Sequence, residues 1–116
     1  MSEHKLQVTI AFWLPNLLAP GVRWSSLDHA AKITARQGAD RKARGVKRGL
    51  PDLLFWWPER NAGAIELKTA KGRISAEQLE FRDHWIMAGF DYALCRSLDD
   101  VRATLIRWNI SRETAA

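Results

Sequence analysis

Glu66 and Lys68 stand two residues apart in Ala64-Ile65-Glu66-Leu67-Lys68, a segment with the composition of a strand. Strand side chains alternate, so the carboxylate and the amine share one face while Ile65 and Leu67 point to the other. Asp52 begins a second segment of this kind, Asp52-Leu53-Leu54-Phe55-Trp56-Trp57, and hairpin pairing of the two could bring it near Glu66. Two carboxylates are hard oxygen ligands of the kind Mg²⁺ prefers, with water and phosphate oxygens left to complete its octahedron. A cation so held can activate a water and neutralise the charge that grows when a phosphodiester is hydrolysed. Lys68 would then either orient and deprotonate that water or stabilise the transition state, and the residues leave both roles open. The Glu-x-Lys spacing alone is weak, because it also describes an ordinary ion pair on an exposed strand.

The elements that must hold these residues can be read on either side of them. Ser2 is placed to cap a first helix carrying Glu3 in its first turn, with Leu6, Val8, Ile10, Phe12 and Trp13 as its apolar surface and Pro15 as its kink or end. Pro20 and Gly21 make a turn, and Val22, Trp24 and Leu27 read as a short half-buried strand. After the run that stops at Pro58, the turn Pro58 to Gly63 returns the chain into a strand over Ala64 to Thr69, giving a hairpin. Ser75 with Gln78 three residues later has the form of a capping box, opening a helix with Leu79, Phe81, Trp85, Ile86 and Met87 as its apolar positions and Gly89 as its cap. Phe90 to Cys95 reads as a strand with Tyr92 and Leu94 on one face. Ser97 and Asp100 open a last helix along Val101, Leu105, Ile106 and Trp108. The order is helix, strand, basic helix, strand, strand, helix, strand, helix, which implies an α/β domain with a mixed sheet flanked by helices.

The chain has 116 residues, enough for one small domain with a single core. Eighteen Lys and Arg against thirteen Asp and Glu give a net charge of +5, which suits a polyanionic partner without choosing among DNA, RNA and an anionic membrane. No apolar run approaches the roughly 20 residues of a membrane-spanning helix. The polar start Ser2-Glu3-His4-Lys5 is wrong for a secretory signal, and the one cysteine, Cys95, permits no internal disulfide, so a cytoplasmic location is expected. Cys95 lies in an apolar stretch and reads as a buried structural thiol. His4, His29 and His84 lack zinc-motif spacing and read as surface residues. Between Lys32 and Arg48 only Asp40 is acidic, while glycines at 38, 45 and 49 punctuate the stretch, so a short basic helix between loops is expected. Of six tryptophans, Trp56 and Trp57 cannot face the same side of one strand, so one packs in the core and the other is free to meet a partner subunit.

The strings Gly49-Leu50-Pro51-Asp52-Leu53-Leu54, Ile65-Glu66-Leu67-Lys68, Gly72-Arg73-Ile74-Ser75 with Glu77-Gln78, and Arg96-Ser97-Leu98-Asp99-Asp100-Val101 together resemble the VRR-NUC family, a branch of the PD-(D/E)xK nuclease superfamily. The similarity runs in order from about Glu3 to Trp108, a domain over residues 1–110 followed by a tail over 111–116. The resemblance implies a restriction-endonuclease-like fold and a metal site at Asp52, Glu66 and Glu3, with the backbone carbonyl of Leu67 as a further ligand and Lys68 as the family lysine. Gln78 matches a family glutamine near the active site, a role compatible with capping its own helix. In this setting Lys42, Arg44, Lys47 and Arg48 are expected on the DNA backbone, joined by Lys71 and Arg73.

The implied activity is that of a Mg²⁺-dependent endonuclease, with Mn²⁺ as a substitute ion. Stand-alone members of the family look like resolvases of branched DNA such as Holliday junctions, and a homodimer would present two active sites to a two-fold junction. Two rivals are a non-catalytic nucleic-acid-binding module and a nuclease for flaps, single-strand ends or specific sequences.

Overall fold

Four leucine and isoleucine side chains decide how the first helix sits. In the computed structural model, which describes residues 1–27 and 34–114, α1 spans Glu3–Leu17 and buries Leu6, Ile10, Leu14 and Leu17. Those positions recur at helical spacing and form one stripe. Ser2 caps it by accepting the Lys5 amide, and Glu3 lies in the first turn, where a negative charge suits the helix dipole. Pro15 stands inside the helix, which ends two residues later. Val8, Phe12 and Trp13, expected to contribute buried apolar surface, are instead exposed. Apolar residues run around much of this helix, and the face that touches the sheet is chosen by the leucines.

The sheet has four strands in the order β1 (Arg23–Ser26), β2 (Leu53–Trp57), β3 (Asn61–Leu67), β4 (Asp91–Cys95). The first two pairings are antiparallel and β3 runs parallel to β4, so the sheet is mixed as expected. β3 begins at Asn61, three residues earlier than its composition suggests, because Glu59 and Arg60 turn the chain in the left-handed region. Gly63 therefore lies within the strand, where a Cβ would strike the Trp108 ring.

Register divides the sheet into two unlike faces. Leu53, Phe55, Ile65, Leu67, Ala93 and Cys95 point to one side and meet α1 and α4 (Leu98–Arg107), which adds Val101 and Leu105. Trp57 and Trp108 stack beside this core with ring centroids 6.1 Å apart. Cys95 is fully buried, its thiol shifted upward by burial, and faces Thr104 at 3.5 Å. The opposite face carries Leu54, Trp56, Glu66, Tyr92 and Leu94 by alternation along the strands. α3 (Ala76–Met87) packs there against β4, stacking Phe81 against Trp85 and bringing Phe81 to Tyr92. Ile86 and Met87, expected among the apolar contacts of α3, are exposed at its end.

α2 (Ala35–Ala43) begins with a capping box of Thr34 and Gln37, and none of its residues is buried. It is the short basic helix expected from composition, although Lys32 and His29 lie outside the described residues. Residues 111–113, at the start of the expected tail, are tied to the body. Ser111 bridges to Leu18, Arg112 donates to the Leu18 carbonyl, and Glu113 pairs with Arg102 at 2.6 Å. Among the described residues, no helix is long and apolar enough to cross a membrane.

Candidate active site

The hairpin register that pairs Leu53 with Ile65 sets Asp52, one step beyond β2, opposite Glu66. Both side chains line one open cleft of about 340 Å³, together with Glu3, Arg48, Ser75 and Gln78. Asp52 is held by the backbone of the strand it faces, since its Oδ2 accepts the Leu67 amide at 2.7 Å. That bond places Leu67 beside Asp52. Gly49 lets the preceding loop reach this position: its φ is +81°, and a Cβ there would collide with the Glu77 carbonyl of α3. The loop carrying Asp52 and the first turn of α3 thus meet backbone to backbone, which makes one wall of the cleft.

Glu66 is only 2% exposed although it carries a carboxyl group. Gln78 donates to its Oε1 at 2.7 Å while the Gln78 Oε1 accepts the Ser75 amide at 2.8 Å. One glutamine therefore caps its helix and steers a carboxylate across the cleft. The two roles weighed for Gln78 are met by opposite ends of the same amide, and the side chain is fixed at both.

Oε2 of Glu66 is buried and has no hydrogen-bond partner. Burial pushes the Glu66 carboxyl up to about 9, and the negative charge of Asp52, with the hydrogen bond that a protonated Glu66 can give it, pushes the same way, against the pull of Lys68. When both are ionised, the two carboxylates face one another with no donor between them. With Glu66 buried, a proton or a cation bridging the gap relieves their repulsion. Asp52 and Glu66 fit a divalent cation on this ground, while the half-exposed Glu3 of α1 lines the same cleft. Among the described residues, no group of three or more His, Cys, Asp or Glu side chains is arranged to hold a metal ion, so Glu3 does not complete a three-acid set with Asp52 and Glu66.

Lys68 follows β3 and is 12% exposed, with its Nζ 3.9 Å from Oε1 of Glu66 and 3.9 Å from Oε1 of Glu3. The amine thus joins the acid on the strand to the acid on α1. The loop beyond it packs on its stem, since a Cβ at Gly72 would lie 3.3 Å from the Lys68 Cβ and Cδ. Arg96 pins that loop, donating to the carbonyls of Thr69 at 2.6 Å and Gly72 at 2.7 Å. Neither Arg96 nor the buried Tyr92 hydroxyl was singled out from the sequence. Burial and the neighbouring Glu66 charge both push the Tyr92 hydroxyl upward, and it has no hydrogen-bond partner. A basic residue after a strand carries no sign of which distant carbonyls it will meet.

The basic candidates divide. Arg48 lines the cleft itself. Lys42, Arg44 and Lys47 are exposed on α2 and the loop after it, where Arg44 is engaged with Asp40 at 2.9 Å. Lys71 and Arg73 are exposed on the loop that Arg96 pins. His4 and His84 are exposed as expected, and the His84 ring contacts the Glu80 carbonyl.

Comparison with known proteins places this arrangement among its relatives. The sequence profile of the VRR-NUC domain matches residues 1–99. A solved structure described as a VRR_NUC domain protein superposes with a TM-score of 0.71 at 18% identity, covering 93% of this chain and 88% of its own. A second, described as a VRR_NUC domain, gives 0.58 at 16% identity over 92% of this chain and 97% of its own. No curated protein matches. At these identities the structures establish a shared fold, and the profile establishes the family.

Proposed function

Because this chain belongs to the VRR-NUC domain family, a nuclease-type family, we propose that it is a metal-dependent, structure-specific DNA endonuclease. Branched DNA of the Holliday-junction kind is its substrate, and a homodimer is its working form. The observation that carries this reading is the unpartnered Oε2 of a buried Glu66 facing Asp52, with Lys68 beside it. A site that keeps two acids so close without a bridge is unfavourable as scaffold, and becomes favourable when a cation is bound.

Asp52 and Glu66 would hold a divalent ion, Mg²⁺ or Mn²⁺, with the Leu67 carbonyl as a further oxygen donor. The ion supplies Lewis acidity toward the scissile phosphate and the attacking water. Gln78 fixes the direction of the Glu66 carboxylate, and the Leu67 amide fixes that of Asp52. In hydrolysis a water oxygen bonds to phosphorus, the bond to the leaving sugar oxygen breaks, and a proton passes to that oxygen from solvent. Lys68 orients the water and takes its proton, or offsets the charge gathering on the phosphoryl oxygens. Arg48 at the cleft holds the DNA backbone, and the exposed Lys42, Arg44, Lys47, Lys71 and Arg73 serve as further phosphate contacts.

Cleavage of four-way junction, flap, duplex and single-stranded DNA with Mg²⁺ or Mn²⁺ tests this. Wild type should cut the junction in a metal-dependent way, and Glu66→Gln and Lys68→Ala should each lose roughly a thousandfold or more in rate. Binding without metal-dependent cutting of any substrate would leave only the binding-module reading. Cutting of flaps with the junction spared would remove the resolvase assignment and keep the nuclease.

A further inference from the structure

Trp56 lies on the same sheet face as the acids. It is in phase with Asp52 and Leu54 along β2, so the face that carries the candidate active site continues into it. It is 44% exposed, because α3 covers the β4 side of this face and leaves the β1–β2 side open. Its cross-strand partners set up the surface: Arg23 stands opposite on β1, and Ala62 opposite on β3. A small residue on one side leaves the indole edge and face clear. The arginine on the other side is exposed, and none of the ion pairs among the described residues involves it.

We propose that Trp56 and Arg23 form a stacking platform for an unpaired nucleobase of the strand whose backbone occupies the cleft. An exposed aromatic ring beside a cation is the arrangement that takes up single-stranded nucleic acid, since every base has a face to stack and every nucleotide a phosphate to neutralise. Trp56 lies four residue steps along the strand from Asp52, roughly 13 Å. That distance places the platform within a few nucleotides of the cleft. The chain's net charge of +5 and Arg48 in the cleft suit a polyanionic strand. The inference rests on the nuclease reading for its substrate class. It adds that the enzyme prefers DNA with unpaired bases next to the cut, as at an open junction centre or a splayed end.

Binding in EDTA tests the platform without any cleavage. Labelled single-stranded, splayed-end and fully paired blunt DNA would be titrated with wild type, Trp56→Ala, Trp56→Phe and Arg23→Ala, each checked by circular dichroism. Trp56→Ala should weaken single-stranded and splayed DNA about tenfold or more and blunt duplex less than about twofold. Trp56→Phe should restore most of the loss, and Arg23→Ala should weaken the DNAs alike. Equal effects on all three DNAs with Trp56→Ala, no effect, or no binding of any DNA by wild type would overturn the platform. So would a dimer that Trp56→Ala turns into monomer, by sedimentation, with unchanged DNA affinity per chain, since Trp56 would then be a subunit contact. The nuclease reading stands or falls separately, on metal-dependent cutting by wild type.

Discussion

The two faces of the sheet share the same strands and differ in almost everything else. Toward α1 and α4, β3 sends Ile65 and Leu67 into a dry core where neither is more than 1% exposed. Toward α3, the residue between them is Glu66, equally buried, with one oxygen unpartnered. The first face is what folding requires of a small domain, since burying apolar area is its main driving force. The second leaves buried polar groups without partners, a cost that persists in natural proteins chiefly where function needs it. Stability and chemistry are thus separated by a single step along one strand.

Adjacent substitutions should give opposite results. Ile65→Ala should cost about 2–5 kcal/mol in denaturant unfolding, enough to unfold much of a marginal domain, because it opens a cavity in the core. Glu66→Gln should leave metal-free stability at pH 8 unchanged or higher, since the amide still accepts from Gln78 and is neutral without the proton that Glu66 must take up on folding. If Glu66→Gln destabilised the chain as much as Ile65→Ala, the functional face would be a structural one and the contrast would collapse.

A smaller effect tests the seam between the faces. Gly49→Ala should cost about 1–3 kcal/mol, because alanine meets both a left-handed backbone and the Glu77 carbonyl. The loss should come with a further drop in cleavage, as the Asp52 loop is pushed from α3. Retained activity in a destabilised Gly49→Ala chain would show that Asp52 does not depend on this close approach.

Much of this organisation was legible in the residues. Two strand-like runs joined by a short turn predict the β2–β3 hairpin that could bring Asp52 near Glu66, while the register that sets them opposite follows from the tighter turn at Glu59 and Arg60. Side-chain caps marked the starts of α1, α3 and α4, since Ser2, Ser75 and Ser97 each accept the amide three residues on. The face of α1 was harder to read. Phe12 and Trp13 are as apolar as Leu14, and only the sheet below selects which of them is covered. The early start of β3 was hidden because Glu59 and Arg60 adopt a conformation that their residue types seldom take. Arg96 and Tyr92 act through contacts distant in sequence, which spacing does not encode.

The proposed function requires Asp52 and Glu66 to share one cation. Between about pH 4.5 and about 9 folded Glu66 holds a proton that the unfolded chain has released, so metal-free stability falls as pH rises through that window. A cation must displace that proton, and binding should therefore tighten with pH. The direct measurement is calorimetric titration of Mg²⁺ and Mn²⁺ at pH 6, 7 and 8 in buffers of different ionisation enthalpy, on wild type and Glu66→Gln. Wild type should bind more tightly as pH rises, release close to one proton per ion, and lose both properties on Glu66→Gln. Binding that ignores pH, or that survives Glu66→Gln unchanged, would contradict the claim.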